Sequence, residues 1–106
     1  MKNKNLLCFI CLSVLISFIS ESQNTFVPDD NFEQALIDLG YDAGVLDDFV
    51  PTANISAVTN LDVASKSISD LTGIQDFIAL SILDCSDNNL SSLIVSSNLN
   101  LTEIYC

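Results

Sequence analysis

An apolar motif that recurs every 21 to 22 residues constrains this chain more than any other feature. The first copy reads Val58-x-x-Leu61-x-Val63-x-x-Lys66-x-Ile68. The second reads Leu80-x-x-Leu83-x-Cys85-x-x-Asn88-x-Leu90, and a third begins as Leu101-x-x-Ile104-x-Cys106. Such a fixed period is typical of repeat proteins, in which each unit buries its apolar face only against its neighbours. We therefore predict stacked repeats over 58–79 and 80–100, with a partial repeat over 101–106.

This motif resembles the leucine-rich repeat, L-x-x-L-x-L-x-x-N-x-L, whose period is about 20–29 residues. The second copy fits every position if Cys85 replaces a leucine, whereas the first has Lys66 where the family has asparagine. An apolar three-residue spacing then favours a tight helical turn on the convex side and is similar to internalin-like repeats: Ile68, Leu71, Ile74 and Phe77. The second repeat, with Ser96-Ser97-Asn98, is similar to the 21-residue repeats of exported bacterial surface proteins.

The resemblance implies an α/β repeat solenoid, a right-handed coil of short parallel strands with an N-terminal helical cap. The inward side chains are expected to stack as four ladders: Val58/Leu80/Leu101, Leu61/Leu83/Ile104, Val63/Cys85/Cys106 and Ile68/Leu90. Asn88 is expected to satisfy backbone groups of a turn. Lys66 offers only donors, so we expect the first turn to depend on water or on the N-terminal region.

Residues 23–57 are predicted to form that cap region, with a helix over about 30–39. Asp30 is the expected N-cap, and Glu33 has the spacing of a capping box. Gly40 is the expected stop, with Tyr41 placed as in a Schellman cap. The helix has an apolar stripe that we expect to cover the first repeat: Phe32, Ala35, Leu36 and Leu39. Residues 25–60 also resemble the cap region of exported repeat proteins.

Residues 1–22 are predicted to be a secretory signal peptide. They combine Lys2 and Lys4, an apolar run over 6–19, and the small residues Ser20 and Ser22 before a cleavage site. A membrane anchor is the alternative, but the run is shorter than the roughly 20 residues of a spanning helix. We therefore expect a secreted or cell-surface protein with no stable membrane span after cleavage. Because Cys106 falls within a predicted strand, we also expect an N-terminal fragment, truncated at the C-terminus.

The charge excludes several classes of function. The 106 residues include 14 acids, 3 bases and no histidine, and residues 23–106 keep 13 acids against Lys66 alone. A nucleic-acid partner is not expected, because phosphates require clustered Lys and Arg. Without histidine the chain cannot form a Ser-His-Asp triad, a Cys-His pair or a histidine metal site. We expect no enzyme activity and no cofactor.

The resemblance places a ligand face on the concave sheet, at the outward positions of each repeat. These residues are Asn60, Asp62 and Ala64 in the first repeat, Ile82, Asp84 and Ser86 in the second, and Glu103 and Tyr105 in the third. Asp62 beside Asp84 predicts either a cation or basic partner, or a solvated acidic face screened by salt. The expected function is recognition of a protein or surface glycan. The alternatives are an N-terminal targeting module of a larger extracellular enzyme and a structural adhesive array.

Two smaller groups leave alternatives open. Asp42, Asp47 and Asp48 could donate oxygens to calcium, but their spacing does not follow a calcium loop, and turn-forming, solvated acids are favoured. Cys85 and Cys106 could form a disulfide or a metal pair. A small apolar ladder is favoured, because free cysteine packs as a small apolar residue and disulfide torsions fit poorly across parallel strands.

Overall fold

The computed structural model describes residues 23–106, so the predicted signal peptide lies outside the described residues. Strand β1 (Asn24–Phe26) precedes helix α1 (Asp30–Asp38), strand β2 (Phe49–Pro51) and the short helix α2 (Thr52–Ile55). Strands β3 (Asn60–Asp62), β4 (Ile82–Asp84) and β5 (Glu103–Tyr105) follow, and a 3₁₀ helix (Ile74–Asp76) lies between β3 and β4. Over this described range, no helix is long and apolar enough to cross a membrane.

The repeat produces a parallel three-stranded sheet in the order β3-β4-β5. Leu61 pairs with Leu83, and Leu83 pairs with Ile104, so each strand is aligned one repeat from the next. This alignment confirms the register predicted from the 21- to 22-residue period. A separate antiparallel pair joins β1 to β2, with Phe26 opposite Phe49.

The core lies on one side of the parallel sheet, where Leu61 and Leu83 are fully buried. The predicted tight turn is the 3₁₀ helix and its flanks, with four buried side chains: Ile68, Leu71, Ile74 and Phe77. Burial decreases from β4 to β5, where Ile104 is 39% exposed and the following Cys106 is exposed. Ile104 aligns with Leu83 as the predicted ladder requires, and it is partly exposed because no strand pairs with the outer side of β5 within residues 23–106.

The N-cap of helix α1 lies one residue earlier than predicted. Asp29, not Asp30, is the N-cap, and its Oδ1 accepts hydrogen bonds from the backbone N–H groups of Asn31 and Phe32. After the last helical residue, Asp38, the chain turns at Gly40 (φ 89°), where Gly40 N–H donates to the Ile37 carbonyl and Tyr41 N–H donates to the Leu36 carbonyl. This pair of bonds is the Schellman arrangement.

One face of α1 joins the core of the repeats. Phe32 stacks on Phe77 of the first repeat with ring centroids 6.4 Å apart, and Ala35 and Leu36 are buried in the same cluster. Leu39 is 46% exposed, so its predicted place on the buried stripe was wrong. It follows the last helical residue, where the chain turns away toward Gly40.

Polar contacts fix the N-terminal region to the first repeat. The second oxygen of Asp29, Oδ2, accepts hydrogen bonds from the backbone N–H groups of Ser69 and Asp70 at 2.9 and 3.0 Å. The Asn31 side chain donates to the Ser67 carbonyl. Gly73 (φ 111°) allows close approach, because a Cβ there would lie 2.8 Å from Val27 Cγ2.

Candidate functional site

The candidate site is the face of the parallel sheet opposite the core, which we call the polar face. It contains two rows, one formed by Asn60, Ile82 and Glu103 and the other by Asp62, Asp84 and Tyr105. The residues of the first and last strands are exposed, whereas Ile82, Asp84 and Ser86 of the central repeat are half-buried. The outward motif position of Ile82 predicted an exposed side chain, but the strands on both sides shield it.

Asp62 and Asp84 are each held by hydrogen bonds from the turn that follows their strand. Asp62 Oδ1 accepts a hydrogen bond from Ala64 N–H at 3.1 Å. Asp84 Oδ1 accepts one from Ser86 N–H at 3.1 Å and one from the Ser86 hydroxyl at 2.6 Å. The bonds from the Ser86 side chain and backbone lower the pKa of Asp84 below its usual value. Both acids therefore have a local structural role as well as a position on the polar face.

Tyr105 is the aromatic residue of the polar face and is 53% exposed. Its hydroxyl donates a hydrogen bond to Glu103 Oε2 at 2.8 Å. This bond raises the pKa of the Tyr105 phenol, and the Glu103 charge adds to the shift. The ring is thus held beside the Glu103 carboxylate on the polar face.

A groove borders the polar face on the side of α1. It encloses about 410 Å³ and is lined by residues of α1 and of the first repeat: Ala35, Asp38, Leu39, Asp62, Ala64 and Lys66. The sole base of residues 23–106, Lys66, thus lies near two carboxylates. The acidic surface therefore includes one positive charge, that of Lys66, at this border.

Asn88 fixes the turn that follows the polar face. Its Oδ1 accepts hydrogen bonds from the backbone N–H groups of Lys66 and Ile68, both at 2.9 Å. Its Nδ2 donates to the carbonyls of Val63 and Cys85. The first turn was expected to depend on water or the N-terminal region. Instead the second repeat supplies its acceptor, while Asp29 binds the amides that follow.

Glu33 is fully buried and links α1 to the loop before β2. Its two oxygens accept the backbone N–H groups of Asp47 at 3.1 Å and Asp48 at 2.9 Å, so it does not form the predicted capping box. Burial raises the pKa of Glu33, and the two backbone bonds oppose that rise. The acid with the most buried carboxylate was thus not among the predicted site residues.

The three acids considered for calcium, Asp42, Asp47 and Asp48, lie close to Glu33. Carboxylate oxygens of Glu33, Asp42 and Asp47 lie within 4.8 Å of one another. Asp42 Oδ1 accepts a hydrogen bond from Ala43 N–H, and Asp47 Oδ1 accepts one from Phe49 N–H. Asp48 adopts a left-handed conformation at φ 69°. These features give all three acids a part in the turns of the loop.

The two described cysteines occupy the same position after β4 and β5, and both are free. Cys85 N–H donates to the Tyr105 carbonyl at 2.8 Å, which continues the parallel ladder. Burial raises the pKa of the Cys85 thiol, and the Cys106 and Asp84 charges add to the shift. A protonated, buried thiol packs as an apolar side chain.

One polar position of the repeat was missed by the sequence analysis. Asp76 and Asn98 lie 22 residues apart, and each contacts the preceding layer. Asp76 accepts a hydrogen bond from Thr25 of β1, and Asn98 donates to the carbonyls of Ile74 and Phe77. A search for polar residues at the repeat period, and not only apolar ones, would have found this pair.

Comparison with known proteins agrees with a leucine-rich-repeat fold. No family model matches the chain. Internalin J of Listeria monocytogenes serotype 4b (strain F2365) is 33% identical over 79 residues, which is 74% of this chain. This chain is homologous to internalin J. The alignment covers only 8% of that internalin, so the chain corresponds to less than a tenth of its length.

Two solved internalin structures have the same fold. The functional domain of internalin J from Listeria monocytogenes, described as including a cysteine ladder, superposes with a TM-score of 0.64 and 31% identity. That match covers 77% of this chain and 19% of the internalin domain. Internalin F from the same species superposes with a TM-score of 0.66 at 23% identity over 76% of this chain and 24% of that structure, which shows a shared fold alone.

Proposed function

We propose that the polar face is the concave, ligand-binding surface of a secreted or surface-exposed leucine-rich-repeat module. The observation that carries the proposal is the row formed by Asp62, Asp84 and Tyr105, aligned strand by strand on the polar face. Because the strands stack in register, the equivalent positions of successive repeats form one continuous strip. A partner that follows the strip contacts several repeats at once.

In this proposal α1 is the cap of a solenoid. The coil of the first repeat would otherwise expose Leu61 and Phe77, which are both fully buried. Phe32 and Leu36 of α1 belong to the same core cluster, and Asp29 binds the backbone beyond the strand. Terminal repeats generally need such a cover because they have a neighbour on one side only.

The proposed partner is a protein that presents a basic patch. Residues 23–106 carry 13 acids against one base, and Asp62 and Asp84 are directly adjacent across two strands. Like charges at this spacing repel each other, and a basic partner removes that repulsion. Tyr105 supplies an amphipathic ring of the kind that is enriched at the centre of interfaces.

The homology supports this assignment without fixing the ligand. Internalin J and this chain share sequence over most of the described residues. The same architecture can support many unrelated functions, so the binding residues must be tested directly. The outer location rests on the signal-peptide prediction for residues 1–22.

The test screens arrays of extracellular proteins and of glycans with the labelled full chain, secreted through its own leader. The variant Asp62→Asn/Asp84→Asn removes two charges and keeps a carbonyl acceptor for the Ala64 and Ser86 amides. The control Asp70→Asn/Asp87→Asn removes the same charge away from the polar face. It keeps the acceptor for Thr72 N–H, and asparagine tolerates the left-handed conformation of residue 87.

We expect binding to basic proteins that weakens about tenfold or more in the polar-face variant and little in the control. Added salt should weaken the wild-type interaction, because it screens exposed charges. Equal loss in both variants would show that net charge alone drives binding. Binding to neutral glycans that is unchanged by both pairs of substitutions would refute a basic protein partner.

A further inference from the structure

We propose that the groove between α1 and the first repeat is an anchoring subsite for an arginine side chain of the protein partner. This inference rests on the proposed function, because it names one side chain of the basic partner and the place that receives it. The groove encloses about 410 Å³, within the roughly 300–1,000 Å³ typical of ligand pockets. Asp62 lines the groove and also begins the row that continues with Asp84 and Tyr105. A partner that lies along this row therefore reaches the groove at the β3 end.

Part of the groove lining is apolar and consists of Ala35, Leu39 and Ala64. Ala35 is buried and Ala64 is half-buried, whereas Leu39 is 46% exposed. Long basic side chains cover apolar surface with their methylene groups while the charged end stays among polar atoms. An exposed leucine beside carboxylates therefore suits a side chain of this kind. The exposure of Leu39, which the apolar stripe of α1 did not predict, gives such a side chain a contact surface.

The charge of the groove is negative at the end of α1. Asp38 is the last residue of the helix, and the last turn contains no basic residue. The C-terminal end of a helix carries a partial negative charge, so a cation is favoured there and a carboxylate is not. Asp62 adds a second carboxylate from β3. A cation in the groove therefore meets two acids and the negative end of a helix.

Neutral donors orient the two carboxylates. The Gln34 side-chain amide donates to Asp38 Oδ1 at 3.0 Å, and Ala64 N–H donates to Asp62 Oδ1 at 3.1 Å. These bonds fix the carboxylates without neutralising them. A guanidinium group has five N–H donors in one plane, so a single group can bond to two carboxylates, and it is more weakly hydrated than an ammonium. Arginine therefore fits this pair of acids better than lysine, whose ammonium is a compact, strongly hydrated charge.

Lys66 gives the subsite a distinctive sign. It lines the same groove and is the sole base of residues 23–106. Its ammonium offsets part of the negative charge and repels a second cation. Loss of the Lys66 charge should therefore tighten the binding of an arginine in the groove.

An NMR titration of the full chain, secreted through its own leader, tests the subsite with a probe of defined chemistry. The probe is the blocked peptide acetyl-Gly-Arg-Gly-amide, and two control peptides carry lysine or citrulline, the neutral analogue of arginine, at the central position. We expect saturable shifts of the Ala35, Leu39 and Ala64 methyl signals with arginine, and binding at least about threefold weaker with lysine. The citrulline peptide should give no saturable shift. Added salt should weaken the binding of the arginine peptide.

Two pairs of variants locate the charges. Asp38→Asn keeps an oxygen for the Gln34 amide and should weaken binding of the arginine peptide at least about threefold, whereas Asp30→Asn, at the other end of the same helix, should change it little. Lys66→Met should tighten binding by about twofold or more. Its control, Asn89→Asp, makes the same change in net charge at an exposed position outside the groove, and should have a smaller effect.

The outcomes separate this subsite from the proposed function. Shifts confined to the signals of Asp84 and Tyr105 would overturn the subsite and leave the polar face as the binding surface. Equal binding of the arginine and citrulline peptides, or no saturable shift with either, would also overturn it. An array screen that yields no basic protein would refute the proposed function even if the groove binds the arginine peptide. With a basic partner in hand, equal effects of Asp38→Asn and Asp30→Asn on its affinity would contradict the anchoring role.

Discussion

At the scale of single residues, Asp29 connects the start of α1 to the first repeat. Its carboxylate accepts four backbone N–H groups, two at the start of α1 and two after the first repeat strand. The capping-box spacing of Asp30 and Glu33 favoured Asp30 as the cap, although either of two adjacent acids can cap a helix. The choice depends on contacts with Ser69 and Asp70, about 40 residues away, which local spacing does not reveal.

We predict that Asp29→Ala lowers the free energy of unfolding by about 2–3 kcal/mol, through the lost cap and two further unsatisfied amides. Asp30→Ala is the control and should cost less than about 1 kcal/mol, the scale of a charge near an exposed helix end. Urea unfolding of both variants measures the difference. Equal costs for the two substitutions would contradict the assignment of Asp29 as the cap.

Glu33 gives a prediction with a definite sign in pH. Its pKa is raised above the ordinary value of 4.5, mainly by burial. Between the unfolded-state and the folded-state pKa of Glu33, the folded state holds more protons than the unfolded state. Stability is therefore lost as pH rises through the folded-state pKa. The contribution of Glu33 is therefore most favourable at acid pH.

The comparison uses Glu33→Gln, which cannot titrate, with unfolding measured from pH 4 to pH 7. We expect the stability of wild type relative to the variant to decrease as pH rises. Subtracting the variant removes the effect of the other 12 acids of residues 23–106. Parallel pH curves for the two proteins would show that Glu33 has no raised pKa.

At the scale of elements, the repeats are joined by polar side chains as well as by apolar ladders. Asn88 of the second repeat supplies the acceptor for the first turn, so the Lys66 and Ile68 amides are bonded although position 66 is not asparagine. The period predicted the strands and their register because it repeats in phase three times. It did not predict which layer serves each turn, because that depends on contacts between repeats.

We predict that Asn88→Ala costs about 2–3 kcal/mol, because the Lys66 and Ile68 amides and the Val63 and Cys85 carbonyls lose this side chain as their partner. The neighbouring Asn89→Ala is a matched control and should change stability by less than about 0.5 kcal/mol. Hydrogen exchange should show faster exchange at the Lys66 and Ile68 amides in Asn88→Ala alone. Unchanged protection at these two amides would contradict the contact.

At the scale of the whole molecule, the sequence predicted the interior better than the ends. Leu61 and Leu83 have neighbours on both sides and are fully buried, as their motif positions indicate. Ile104 occupies the equivalent position but is 39% exposed, because motif position alone does not report whether a neighbour is present. The polar face followed from the motif, whereas the half-burial of Ile82 depended on the side chains of both adjacent strands.

The polar face depends on one fact, which is that successive repeats stack in register. Methyl NOE spectroscopy of the full chain tests this most directly. We predict strong contacts between Leu61 and Leu83 and between Leu83 and Ile104, the pairs aligned in the parallel sheet. Leu61 and Ile104, two strands apart, should show none, since adjacent strands are about 4.8 Å apart. Contacts between Leu83 and Val63 that replace those between Leu83 and Leu61 would mean a shifted register, and Asp62 and Asp84 would no longer form one row.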